Sequence, residues 1–172
     1  MRKLSHQEIV TRQQKYQTAA RLPMTVVLNN IRSLHNVGAI FRTADGAGVE
    51  KIWLCGITGY PPDSQIAKTA LGAESRVPWD HDYEAVNVIR RLKEQKYQIV
   101  LLEQTDHSID YHDFVPKAPV CLVLGNEIEG ISDELLAWCD EAVDIEMVGI
   151  KNSLNVGVAF GIVAYHFREC LK

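Results

Sequence analysis

A chain of 172 residues has the size of one compact domain with a sizeable core, and its 47% apolar content excludes wholesale disorder. No apolar run approaches the length of a membrane span, and Met1-Arg2-Lys3-Leu4-Ser5-His6-Gln7-Glu8 is too polar for the core of a signal peptide, so the expectation is a cytoplasmic protein with no membrane partner. The net charge of −4 argues against a nucleic-acid binder, but residues 1–21 carry Arg2, Lys3, Arg12, Lys15 and Arg21 against the single acid Glu8, a local excess of four positive charges.

That basic stretch opens with a capping-box pattern, Ser5-His6-Gln7-Glu8, which predicts a helix from about Ser5 to Ala20. Met24–Leu28 is a short apolar, β-branched run and reads as a buried strand. A helix over Val37–Ala47 and a strand over Lys51–Cys55 follow, then a turn-rich loop with Gly56, Gly59 and Pro61-Pro62. Tyr83–Gln95 reads as an amphipathic helix with Val86, Ile89 and Leu92 inward. Tyr97–Leu102 and Pro119–Leu124 read as buried strands, Ser132–Trp138 as a short helix, Ala142–Ile145 as a final strand and Ser153–Cys170 as a closing helix. Strands alternating with helices define an α/β domain over residues 22–172 with a largely parallel sheet, and residues 1–21 form a basic helical appendage.

Cys55, Cys121, Cys139 and Cys170 form no C-x-x-C pair, so neither a zinc site nor a disulfide framework is expected, and all four thiols read as buried or inert. The sequence has no G-x-x-x-x-G-K-[ST] and no G-x-G-x-x-G after the first strand, which removes the P-loop and dinucleotide-binding readings. Polar, glycine-containing sequence follows three different strands instead, the location of ligand sites in open α/β sheets. The first cluster runs from Asn30 to Ala44. Asn36 stands at the expected helix start as a capping residue. Arg42 is either functional or a surface arginine paired with Asp45 or Glu50. The second cluster, Leu122 to Ser132, runs a strand into Gly125, Glu127 and Gly130; alone it is a strand-to-helix connection. The third, Ile145 to Ala159, puts Ser153 at the cap of the last helix and Asn155 in its first turn; alone, Ser153 is a plain cap.

In this order and spacing the clusters closely resemble the three signature motifs of the SPOUT superfamily, in its SpoU/TrmH branch of RNA ribose 2′-O-methyltransferases. Asn36, Gly38, Arg42 and Ala44 match the first motif, Gly125, Glu127 and Gly130 the second, and Ile145, Met147, Gly149, Ser153, Leu154, Asn155 and Ala159 the third. The resemblance covers Met24 to Arg168. Two positions depart from the pattern: Glu146 stands where a proline is usual, and Gly157 where a serine is common.

The resemblance implies a SPOUT fold with a deep C-terminal trefoil knot, S-adenosylmethionine as cofactor, and a homodimer whose site is completed across the interface. It implies a cofactor site at Glu103, Gln104, Leu124, Gly125, Ile145 and Leu154, and a catalytic set of Arg42, Asn36, Glu127, Ser153 and Asn155. A guanidinium, with a pKa of about 12–14, is closer to a ribose hydroxyl than imidazole is, so Arg42 suits either proton acceptance or holding of the adjacent phosphate. Arg12, Lys15 and Arg21 would bind RNA phosphates. The segment from Glu103 to Asp110 and the absence of a ribosome-targeting N-terminal domain favour tRNA, at a D-loop guanosine, over 23S rRNA. A non-catalytic RNA-binding homologue has no need of the full residue set.

Overall fold

The computed structural model describes residues 1–17 and 20–172, without the side chains of Lys15 and Gln17. Thr18 and Ala19, in the helix expected to reach Ala20, and the Lys15 side chain expected to bind RNA lie outside the described residues.

The apolar runs alternate between two cores, as strands covered on both faces must. Met24, Val26 and Leu28 of β1 (Leu22–Asn29) point to one face, and Val27 points to the other. Leu122 and Leu124 of β6 (Val120–Leu124) join the first core, while Cys121 and Val123 join the second. These strands sit centrally in one seven-stranded sheet of order β3-β2-β1-β6-β4-β7-β5, in which every pairing is parallel. The others are β2 (Val49–Cys55), β3 (Trp79–Asp82), β4 (Gln98–Leu102), β5 (Ile109–Asp110) and β7 (Glu141–Asp144). Because all run the same way, their carboxyl ends share one edge.

Helices α2 (Leu34–Ala47), α3 (Ser64–Ala70) and α6 (Val156–Cys170) cover one face, with Phe41, Ile66, Phe160 and Phe167 fully buried. Helices α4 (Ala85–Glu94) and α5 (Asp133–Leu136) cover the other through Val88, Ile89, Leu92 and Leu135. Gly38 permits the close approach of α2 to α3, since a side chain there would collide with the Ile66 carbonyl and the Thr69 hydroxyl.

The expected capping box forms at α1 (His6–Gln17): Glu8 N donates to Ser5 Oγ at 3.3 Å and Ser5 N donates to Glu8 Oε2 at 2.7 Å. Arg2 adds an ion pair to Glu8, and apart from Glu8 the described side chains of α1 are exposed.

Several sequence-based expectations need correction. Ser33, not Asn36, caps α2, accepting from Asn36 N, because the helix begins earlier at Leu34. Asn155, not Ser153, caps α6. α3, β3 and β5 have no counterpart among the elements that the sequence pattern predicts. α3 is a seven-residue helix started by Asp63, which accepts from Gln65 N and Ile66 N. Cys55 and Cys121 are buried, and burial pushes the Cys55 thiol up to about 12 and raises that of Cys121, but Cys139 is half-buried and Cys170 exposed.

Candidate active site

The loops leaving β4, β6 and β7 enclose a cleft of about 570 Å³ at the carboxyl edge of the sheet. All six residues expected to hold the cofactor line it: Glu103 and Gln104 after β4, Leu124 and Gly125 at the end of β6, Ile145 after β7, and Leu154 before α6. Glu127, Ser153 and Asn155 line it too.

Each wall is fixed by backbone hydrogen bonds. After β6, Asn126 and Gly130 exchange N–H···O bonds of 3.0 and 2.9 Å, and Asn126 Oδ1 accepts from Ile128 N and Glu129 N inside the turn. A side chain on Gly125 would come within 2.5 Å of the Gly130 carbonyl, so the second motif needs glycine there to close. Glu103 joins β4 to this loop: one carboxylate oxygen accepts from Ile131 N at 3.1 Å, the other from Gln104 N at 2.9 Å. Gln104 Nε2 donates to the Asn152 carbonyl at 2.7 Å, joining β4 to the third motif.

The three motifs meet in one chain of hydrogen bonds. Asn155 Oδ1 accepts from Gly157 N at 3.0 Å and Val158 N at 3.3 Å, which leaves its Nδ2 to donate to Asn36 Oδ1 at 3.0 Å. That contact turns Asn36 Nδ2 towards Glu127 Oε1, also at 3.0 Å. Two backbone donors at the cap of α6 therefore set the orientation of both carboxamides. Glu127 also accepts from Arg32 N at 3.1 Å and Ser33 N at 3.3 Å, just ahead of α2, where a carboxylate is favoured by the helix dipole. Partial burial pushes the Glu127 carboxyl up, but the hydrogen bonds from Arg32, Asn36 and Ser33 outweigh it and hold its pKa below the usual value.

Arg42 stands apart from this cluster. It is exposed on α2, outside the cleft lining, and makes no hydrogen bond or ion pair among the described residues. Neither proposed surface partner engages it: Asp45 lies 3.7 Å from Arg21, and Glu50 accepts from Tyr97 Oη. Arg12 is exposed on α1. Arg21 is committed to the fold, donating to the Val49 and Arg76 carbonyls at 2.9 and 2.8 Å.

Sequence reasoning missed three contributors. Thr58, 2% exposed, ties the loops after β1 and β2 by donating to the Leu28 carbonyl and accepting from Ile31 N, both at 3.0 Å. Asn126 Nδ2 donates to the Asn30 carbonyl at 2.8 Å; its place in the second motif was the available signal. Asp144 lines the cleft from the end of β7. Among the described residues no group of three or more His, Cys, Asp or Glu side chains is arranged to hold a metal ion.

The apolar surfaces of Leu102, Ile145, Leu154 and Ala159, with fixed backbone groups and carboxamides between them, fit a nucleoside-containing ligand. An all-parallel α/β sheet carrying such a cleft at its carboxyl edge defines the class. The SpoU rRNA methylase family profile matches residues 23–165, and the chain belongs to that family. The tRNA (guanosine(18)-2′-O)-methyltransferase of Escherichia coli K12 is 33% identical over 158 residues, covering 88% of this chain and 66% of that protein. The 23S rRNA (guanosine-2′-O-)-methyltransferase RlmB of Pectobacterium atrosepticum is 31% identical over 145 residues, covering 84% of this chain and 59% of that protein. The chain thus spans about two thirds or less of the length of these two relatives. Among solved structures, the A. aeolicus TrmH/SpoU tRNA modifying enzyme superposes with a TM-score of 0.82 at 26% identity, covering 95% of this chain and 83% of that one. An AdoMet-bound rRNA methyltransferase from Sinorhizobium meliloti gives 0.79 at 29% identity, covering 87% of this chain and 57% of that one.

Proposed function

We propose that this protein transfers a methyl group from S-adenosylmethionine to a ribose 2′-hydroxyl of RNA, with tRNA, at a D-loop guanosine, as the preferred substrate. The observation that carries the reading is the hydrogen-bonded chain Glu127–Asn36–Asn155, which joins all three motifs beside a cleft lined by the six expected cofactor residues. The methyltransferases named among the relatives, and the AdoMet-bound neighbour, support it.

The cofactor, when bound, supplies a methyl group already activated on a sulfonium. What remains for the chain is alignment and removal of the hydroxyl proton. Leu124, Gly125, Ile145 and Leu154 hold the adenosine, with Glu103 and Gln104 fixing the loops around it. Ser153 and Asn155 orient the reacting groups, and Asn36 and Glu127 lock them in register. Arg42 either accepts the proton or holds the adjacent phosphate.

Arg42 lies outside the cleft of its own chain, so the site is completed in a homodimer. Exposed Val158 and Tyr165 on α6, with Ile128, Val148 and Ile150 at the cleft loops, give a second copy an apolar surface to cover. The C-terminal trefoil knot belongs to the same proposal, supported by the insertion of β6 between β1 and β4 and by the Gln104–Asn152 bond that draws residues 145–155 onto the β4 loop. Residues 1–21 act as a basic RNA-docking arm on a domain of residues 22–172, with Arg12 and Lys15 as its phosphate-binding residues. The protein works in the cytoplasm, and no helix among the described residues is long and apolar enough to cross a membrane.

Ribosomal RNA is the second reading, favoured by the RlmB relative. Mass spectrometry of nucleosides from tRNA and rRNA of a deletion strain separates the two. Loss of one ribose methylation from tRNA is expected; loss from 23S rRNA selects the second reading, and an unchanged profile overturns both.

A further inference from the structure

The charge of the cleft is one-sided. Its lining includes three carboxylates, Glu103, Glu127 and Asp144, and no lysine or arginine among the described residues. Two of the three are occupied by the protein. Both Glu103 oxygens accept backbone N–H bonds, and Glu127 accepts two backbone bonds and one from Asn36. Asp144 differs. Its Oδ2 accepts from Ser108 Oγ at 2.7 Å, and its Oδ1 accepts no hydrogen bond among the described residues.

The reading as a methyltransferase, on which this inference rests, gives that asymmetry a consequence. The donor carries a sulfonium and an ammonium against one carboxylate, a net charge of +1. Transfer breaks the S–CH3 bond and forms an O–CH3 bond. The electron pair of the broken bond stays on sulfur, the hydroxyl proton leaves to Arg42 or to solvent, and the product is a neutral thioether. A cleft walled by carboxylates and without cations favours the charged donor, and a concave low-dielectric wall concentrates that preference. We infer that Asp144 is a specificity-determining residue that lets this cleft tell the sulfonium donor from its thioether product.

The other two carboxylates are held by fixed backbone dipoles that offset much of their charge, whereas Asp144 has a single neutral hydroxyl partner. Methyl transfer thus removes the attraction that retained the cofactor, and product departure is coupled to the chemistry.

Calorimetric titration of the full chain with S-adenosylmethionine and with S-adenosylhomocysteine tests this. Asp144→Asn keeps an acceptor for Ser108 but removes the charge; it is expected to weaken the sulfonium ligand by about fivefold and to leave the thioether unchanged. Ser108→Ala, which breaks the tie and keeps the charge, leaves the ratio of the two affinities at its wild-type value, as does Glu134→Gln at an exposed position of α5. In the wild-type protein, which no folding defect can compromise, raising salt from about 50 to about 500 mM weakens the sulfonium ligand more than the thioether. Equal weakening of both ligands by Asp144→Asn, equal salt slopes, or a matching ratio shift in Ser108→Ala overturns the inference alone. Failure of the wild-type protein to bind either ligand overturns the methyltransferase reading as well.

Discussion

Asn155 has two separable duties, and two substitutions pull them apart. Its Oδ1 caps α6 by accepting from Gly157 N and Val158 N, while its Nδ2 donates to Asn36 and so holds Asn36 against Glu127. Asn155→Ala removes both. Loss of the cap costs about 1 kcal/mol, and loss of one solvent-accessible side-chain hydrogen bond adds about 0.5–1 kcal/mol. For a domain of this size the combined effect lowers Tm by about 3–8 °C. Asn155→Asp keeps an acceptor at the helix start, where negative charge is favoured, so its Tm stays within about 2 °C of wild type. It has no N–H for Asn36, however. To face a carboxylate at residue 155, the Asn36 amide must turn its Nδ2 away from Glu127, breaking the link between the first two motifs. Methyl transfer in Asn155→Asp is then expected to fall by about 10- to 100-fold, the equivalent of one site hydrogen bond. Thermal melts paired with transfer of labelled methyl to RNA provide both readouts. Full activity in Asn155→Asp, or an unchanged Tm in Asn155→Ala, would refute this division of roles.

Arg42→Ala should abolish transfer while leaving fold and cofactor affinity intact, since Arg42 makes no hydrogen bond or ion pair among the described residues and does not line the cleft; Arg42→Lys should recover little, because lysine lacks the planar fork, and near-normal turnover under saturating RNA in the alanine variant would reduce Arg42 to a surface residue. Hydrogen bonds hold the folded-state pKa of Glu127 below its unfolded value, so its stabilisation is complete above the unfolded pKa and is lost as pH falls through the folded one. Glu127→Gln should therefore flatten the acid limb of the Tm–pH curve, and parallel acid limbs in the two proteins would contradict the assignment. Arg12 and Lys15 changed together to Gln should weaken RNA binding and make it less salt-sensitive without altering Tm, whereas Arg21→Gln should lower Tm by freeing the Val49 and Arg76 carbonyls; the reverse pattern would make the arm structural.

The parts of this protein legible in the sequence are those set by local pattern. Met24–Leu28 and Pro119–Leu124 announce buried strands because both their faces are covered, and Gly125, Glu127 and Asn155, picked out by their order and spacing, line one cleft. Trp79-Asp80-His81-Asp82 does not read as a strand, since β3 lies at the sheet edge where polar side chains reach solvent. β5, with two residues, is too short to carry any periodicity. Both capping errors have one origin: Ser, Asn and Asp all favour helix starts, so Ser33 and Asn36, or Ser153 and Asn155, compete on equal terms until the backbone chooses. The placement of β6 between β1 and β4 depends on non-local pairing. The engagement of Arg21 with carbonyls 28 and 55 residues away, against the isolation of Arg42, is likewise invisible in a list of charges.

The central claim, methyl transfer to a ribose 2′-hydroxyl, is tested most directly by incubating the purified protein with S-adenosylmethionine bearing a trideuterated methyl group and, in separate reactions, with unmodified tRNA and unmodified 23S rRNA. Digestion to nucleosides and mass spectrometry then locate the label. The account predicts the heavy methyl on the ribose of a single nucleoside, and its disappearance with Arg42→Ala. A heavy methyl on a base, or none on tRNA or on 23S rRNA with a wild-type protein that binds the cofactor, would contradict it.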